Sequence, residues 1–199
     1  MQKIIDRIKQ IVLKPRETWE TIKSEETTVS ELFKNYLLIL AAVPALAGFL
    51  GRWIIGIRIP FAGVYRFSFG ASLMSAVIGY VFTVAGVWAL SKVISYLAPN
   101  FGGQKDDLRG FKVAVYSYTP YLAAGILYLF PSLGILVTLA GLYGLYLLYM
   151  GLPMIMETPK EKTMVYTVVI IVAVILISII VGTVTGAFLG LFGPSLPRI

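Results

Sequence analysis

From Met164 to Leu189 the chain reads MVYTVVIIVAVILISIIVGTVTGAFL, without one charged side chain. About 20 consecutive apolar residues are enough for a helix to cross the hydrocarbon of a bilayer. In lipid, a helix also satisfies every backbone donor and acceptor within its own segment. The rest of the chain has the same character, with 58% hydrophobic and 14% charged residues among 199 and a mean hydropathy of +0.84. Soluble domains carry about a quarter charged residues. The sequence therefore predicts an all-α, polytopic transmembrane bundle forming one compact domain.

Four further apolar stretches join the Val/Ile-rich one, giving about five spans at 35–51, 68–97, 111–130, 132–152 and 164–189, inside a membrane domain of 35–190. The first holds Pro44 as a kink and extends at most to Ile57. The second is longer than a crossing needs, so it tilts or projects beyond the hydrocarbon. Almost nothing separates the third span from the fourth, which opens at Pro131, so the two form a tight helical hairpin. Residues 51–67, GRWIIGIRIPFAGVYRF, mix three arginines with Trp53 and Tyr65 and read as an interfacial or partly re-entrant loop. Residues 98–110 are a polar loop rich in turn formers, and 191–199 a short tail.

Residues 1–34 are different. Ile4, Ile5, Ile8, Ile11 and Val12 recur at helical spacing opposite Lys3, Asp6, Arg7 and Lys9, which predicts an amphipathic helix lying on a surface. Pro15 suits the first turn of a second short helix with Trp19 and Ile22 on its apolar side. Either Trp19 anchors that helix in the membrane interface, or both helices pack on the protein's own cytoplasmic loops. The first segment is too polar and short for a signal-peptide core, so it is expected to stay in the mature protein.

Lys and Arg near the membrane ends set the orientation. Seven lie in the N-terminal segment, four between Lys92 and Lys112, and two at Lys160 and Lys162, giving 13 on one face. Arg52, Arg58, Arg66 and Arg198 make four on the other. This places the N-terminus in the cytosol and the C-terminus across the membrane, a plasma or inner membrane in a prokaryote. The net charge of +7 is scattered at membrane edges, so its counter-charge is anionic lipid headgroups rather than nucleic acid.

The chain lacks both Cys and His, which removes the ligands of most zinc and di-iron sites and the usual nucleophile–base pairs. No catalytic, cofactor-binding or metal-binding residue is assigned. The adjacent Asp106 and Asp107 read as a turn or helix cap rather than a magnesium site. No span holds a clearly intramembrane Asp, Glu, Lys or Arg, which disfavours proton-coupled transport and intramembrane aspartyl proteolysis. Three constellations remain. Gly182, Gly186 and Gly190 form a small-xxx-small ridge for close helix packing, either inside the bundle or as a homo-oligomer seam. Tyr116, Thr119 and Pro120, facing Tyr143 and Tyr146 with Pro131 at the turn, are interfacial or hydrogen-bonded residues, or else a polar hairpin bordering a hydrated or lipid-accessible cavity. Arg52, Arg58 and Arg66 are candidate headgroup contacts, because the positive-inside bias would not otherwise place them there.

The order of KPRETW at 14–19, YSYTP at 116–120, PSLG at 131–134 and GLYGLYLLYMGLP at 141–153 resembles the Yip-one family, the Rab-interacting Yip proteins and their small prokaryotic members. That resemblance implies a cytosolic N-terminus followed by five spans. Eukaryotic members bind prenylated Rab-type GTPases through a cytosolic stretch with a DLYGP-type motif; it is missing here, so that role does not carry over. The family implies no catalytic residues. The expectation is a non-enzymatic scaffold or adaptor in membrane organisation, with a small permeation or lipid-handling protein using the tyrosine hairpin as the alternative.

Overall fold

The structure, a computed structural model, describes residues 2–59 and 63–192. Seven helices account for nearly all of it. The amphipathic pair is α1 (Gln2–Leu13) and α2 (Pro15–Ser24). The bundle consists of α3 (Val29–Ile55), α4 (Phe69–Leu97), α5 (Asp107–Ala124), α6 (Gly134–Ile155) and α7 (Lys160–Phe192). A short antiparallel hairpin, β1 (Ile57–Ile59) with β2 (Gly63–Tyr65), closes one end between α3 and α4. That end is called the hairpin end below, and the end carrying α1 and α2 the platform end.

Three bundle helices start where the sequence offers a cap. Thr28 and Glu31 form a reciprocal capping box at the start of α3. Ser68 caps α4 through the Ala71 N–H, and Asp106 caps α5 through the Arg109 N–H. The first span is thus longer than its apolar core at both ends, and residues 51–55 continue α3 as a π-turn rather than opening a loop. The stretch expected as interfacial or re-entrant becomes that π-turn, the hairpin and the lead into α4.

Four helices are long and apolar enough to cross a membrane: Val29–Ile55, Phe69–Phe101, Pro131–Ile155 and Lys160–Val184. Their exposed side chains are apolar, Leu46, Val77, Val81, Leu139 and Val172 among them, as a lipid-facing surface requires. The fifth, α5, is more polar because it is the central helix. Val113, Ala114, Val115, Thr119 and Leu122 on it are fully buried, and a 3₁₀ turn, Gly125–Leu129, carries it toward α6. A helix enclosed by protein needs no lipid-facing apolar coat.

Two glycines of α6 set the spacing of this core. A Cβ on Gly144 would stand 2.5 Å from the Ser117 carbonyl of α5, and one on Gly151 would stand 2.6 Å from the Trp19 ring. The ridge on α7 behaves differently: Gly182 and Gly186 have no atom within 4 Å of a built Cβ, and the surroundings of Gly190 lie outside the described residues. Among the described residues, nothing packs closely on Gly182 or Gly186, and Gly182 instead borders a cleft against α4.

Gly144→Ala and Gly151→Ala should each lower stability by about 1–3 kcal/mol through overpacking, while Gly182→Ala should leave it within about 0.5 kcal/mol of the parent. Thermal unfolding of the purified variants in one detergent checks the contrast.

Candidate functional site

The last carbonyls of any helix lack intrahelical partners. At the end of α2 a side chain from the bundle supplies them. Lys112, buried on α5, donates from Nζ to the Ile22 carbonyl at 2.8 Å and the Glu25 carbonyl at 2.7 Å. One turn further along α5, Tyr116 meets Trp19 edge-on with ring centres 6.2 Å apart and packs on Tyr36 at 5.1 Å. The Arg7 guanidinium of α1 lies 5.7 Å from the Tyr116 ring centre and donates to the Glu25 carboxylate at 2.7 Å. Farther in, the Tyr36 hydroxyl and Thr119 Oγ1 are 3.0 Å apart, and Thr119 donates to the Val115 carbonyl at 3.1 Å, so Tyr36 supplies the proton between them. Tyr143 of α6 donates to the Val12 carbonyl at the end of α1, at 2.8 Å. Polar groups from two bundle helices, α5 and α6, thus fasten both amphipathic helices.

This geometry decides the alternatives left open for residues 1–34. Trp19, Ile11 and Ile22 are fully buried, so Trp19 is not an interfacial anchor. The helices do pack on the protein itself, but on the bundle helices rather than on loops. Lys112 is a buried cation at the platform end of α5, its ammonium enclosed where that helix meets α2. The sequence signal for it was available: a lysine at the sixth residue of a helix, followed by Val113, Ala114 and Val115, all apolar.

The tyrosine hairpin does not assemble as expected. Tyr116 and Thr119 face the amphipathic helices and α3, Pro120 is packed among buried residues, and Tyr143 is occupied by α1. Tyr146 touches Tyr143, with ring centres 5.6 Å apart, but is half-exposed on the lipid-facing side. Among the described residues, Tyr116, Thr119, Tyr143 and Tyr146 line none of the three clefts described below. The polar lining sits on the opposite side of α5, where Tyr118 and Tyr121 meet at 5.5 Å. Tyr121 borders three clefts. The largest, about 390 Å³, lies between α3 and α4 and takes in Arg52 and Pro131. One of about 240 Å³ lies against α6, and one of about 250 Å³ against α7 at Ile177 and Gly182. Of the other arginines, Arg66 is exposed beside the hairpin, and the side chain of Arg58 lies outside the described residues.

The carboxylates are all engaged in ion pairs or caps on the platform end wherever they approach the bundle. Asp106 caps α5, and Asp107 accepts from Lys92 at 2.6 Å and Ser95 at 2.9 Å, which holds its carboxyl below the usual range. Among the described residues no three His, Cys, Asp or Glu gather as metal ligands. Glu157 stands just after α6 at φ 55°, a left-handed position that costs a non-glycine residue about 1–2 kcal/mol. Its carboxylate joins Arg109 at 2.8 Å and Lys23 of α2 at 2.9 Å, and these two hydrogen-bonded cations hold its pKa down at about 2. Glu157 therefore ties α2, α5 and the end of α6 together.

With the architecture in place, the comparison with known proteins is direct: a model of the Yip1 domain matches residues 9–182. The chain belongs to the Yip1 domain family. The matched region of the Yip1 domain starts within α1 and ends in α7, so the fastened amphipathic helices are included in it. The chain is also similar to inner membrane protein YohC of Escherichia coli strain K12, 28% identical over 156 residues that cover 77% of this chain and 80% of that protein. The same protein from Escherichia coli O6:H1 matches equally. No solved structure matches the chain. This Yip1 domain is an integral membrane protein, and its long apolar helices require a lipid bilayer around them.

Two outcomes follow for the seam. Lys112→Met leaves the Ile22 and Glu25 carbonyls without their donor and should cost about 2–4 kcal/mol; limited proteolysis should then cut between residues 24 and 28, where the parent resists. Glu157 has a lowered folded pKa, so its contribution is present above its ordinary value of 4.5 and is lost as pH falls toward about 2. The thermal midpoint should drop across that window, and Glu157→Gln should flatten the drop.

Proposed function

We propose that the protein is a non-enzymatic membrane scaffold whose amphipathic helices form a fixed platform on the cytosolic face. The observation that carries this is the Lys112 ammonium holding the end of α2. Segments that release to bind a bilayer keep their apolar face available, whereas here Ile11, Trp19 and Ile22 are consumed internally. What α1 and α2 present outward is a mixed polar face that includes Lys3, Lys9, Arg16, Glu17 and Glu20, with Leu13 among them. A rigid polar face of this kind suits a protein partner at the membrane surface. The uncovered glycine ridge at Gly182 and Gly186 supports a second copy as a neighbour within the membrane.

The orientation belongs to the same proposal. The three segments carrying 13 of the 17 Lys and Arg gather at the platform end, through the Lys23–Glu157, Arg109–Glu157 and Lys92–Asp107 pairs. The positive-inside bias then puts that end in the cytosol and residues 57–65 across the membrane. The inner-membrane location of the YohC relatives supports a prokaryotic inner membrane.

A lipid-handling role is the second reading, favoured by the three clefts that meet at Tyr121. In liposomes, Tyr121→Phe should lower any lipid scrambling or solute flux, whereas Tyr146→Phe should not; absence of activity in the parent removes this reading.

Because the chain has no Cys, single cysteines report topology without background. In intact cells a membrane-impermeant maleimide should label Val64→Cys at once and Glu20→Cys only after lysis. Photocrosslinkers at Arg16 and Glu20 should capture a defined protein neighbour in the native membrane. Reversed labelling would refute the orientation, and crosslinks to lipid alone would refute the platform.

A further inference from the structure

The ten Asp and Glu occupy residues 6–31, 106–107 and 157–161, so all of them fall in segments of the platform end. The hairpin end carries Arg52, Arg58 and Arg66, the side chain of Arg58 lying outside the described residues, and no carboxylate. Arg66 is exposed and can be solvated. Arg52 is only partly accessible, and its Nε is buried with no hydrogen-bond partner among the described residues. An unpaired guanidinium held against a membrane protein's interior is costly, and such groups pair with an anion where one can reach them.

Arg52 lines the mouth of the cleft between α3 and α4. Below it small residues form a strip, Ala41, Ala45 and Gly48 on α3 with Ala76 and Gly79 on α4, flanked by Ser75, Tyr80 and Thr83. The volume of about 390 Å³ is in the range of small-molecule sites. From Ala41 to Arg52, α3 rises about 16 Å at 1.5 Å per residue. That matches one leaflet, half of an about 30 Å hydrocarbon core. A groove one leaflet deep, with an Ala/Gly stretch along it, hydroxyl-bearing residues such as Ser75 and Thr83 beside that stretch and a cation at its mouth, has the polarity of a single phospholipid.

Packing keeps the groove open. Gly51 lies directly beneath the carbonyls of Tyr128 and Leu129, and a Cβ on Gly125 would meet Pro44 at 2.5 Å. The 3₁₀ turn after α5 is therefore pressed against one side of α3, which aims Tyr128 and Pro131 at the cleft as its rim. On the other wall, Gly79 has nothing within 4 Å of a built Cβ, so the space beside it is vacant of protein.

We propose that this cleft binds one phospholipid from the leaflet at the hairpin end, with its phosphate on Arg52 and one acyl chain along the Ala/Gly groove. Arginine suits the phosphate because its planar fork donates two parallel charge-assisted hydrogen bonds. The tyrosine rim at Tyr121 and Tyr128 borders the glycerol level. The site holds whether or not lipid moves through the protein, so it stands apart from the scrambling reading above.

The test uses the full chain, purified in mild detergent, stripped of lipid and titrated with phosphatidylglycerol, diacylglycerol or inorganic phosphate under native mass spectrometry. The parent should take up one phosphatidylglycerol, and diacylglycerol, which lacks the phosphate, should bind at least about tenfold more weakly. Arg52→Gln should lose at least about tenfold in phosphatidylglycerol affinity, and Arg66→Gln should not change it. Gly79→Leu fills the groove without touching Arg52, at a position where the fold has room, and should lose binding to a similar extent. Equal uptake by the parent and Gly79→Leu would overturn the acyl-chain groove. Equal uptake of diacylglycerol would overturn the phosphate contact. Displacement by stoichiometric inorganic phosphate would make the site one for a free anion and overturn the proposal. If Arg52→Gln does not fold, the Gly79→Leu and diacylglycerol arms still decide it.

Discussion

The buried ammonium of Lys112 is the interaction on which the platform end depends. Its two acceptors are the frayed carbonyls of α2, so a single side chain satisfies a helix terminus and fixes where that helix lies on the bundle. With α2 in place, Trp19 enters the bundle, and its indole lies against the bare backbone of Gly151. Tyr116 then closes the other side of the ring, and Arg7 covers Tyr116 while pairing with Glu25. Each of these contacts presupposes the one before it. A desolvated cation without its acceptors would be strongly unfavourable, which makes the arrangement selective for one docking position.

The two ends of the bundle are built on different electrostatic terms. At the platform end cations and carboxylates neutralise one another across elements: Lys92 with Asp107, Arg109 and Lys23 with Glu157, and Arg7 with Glu25. Exposed pairs of this sort contribute little singly, but here they connect segments already brought together by packing. The hairpin end has arginine and no carboxylate, and it replaces ion pairs with an aromatic cluster of Phe49, Trp53 and Phe69, whose ring centres lie 5.1–5.7 Å apart. The chain thus balances its charge internally on one side and leaves it open on the other.

Much of this architecture was legible in the residues. The apolar runs gave the helices of the bundle, Pro131 gave the tight turn between α5 and α6, and the YSYTP and GLYGLYLLYMGLP segments pointed to the family that the Yip1 domain match establishes. Asp106 was readable as a cap. The pairing of faces was not. Tyr116 and Tyr118 are two residues apart on one helix and therefore point to opposite sides, and no local pattern says which side meets α1 and which meets the clefts. The segregation of every carboxylate to one end was also present in the sequence, and it is the signal that singles out Arg52.

The sequence by itself determined that this chain is a helical membrane bundle, because a run such as Met164–Leu189 has no other stable solution in water or lipid. It determined the caps and breaks of the helices too, since those rest on residues within four positions of one another. Only the tertiary structure decided that the amphipathic helices are fastened to the bundle, that the α7 glycines are uncovered, and that the polar lining falls on Tyr118 and Tyr121. Those outcomes rest on contacts between residues about 90 positions apart, as Lys112 and Ile22 are. Apolar faces are interchangeable to a local reading, and which one is buried depends on the neighbour that reaches it.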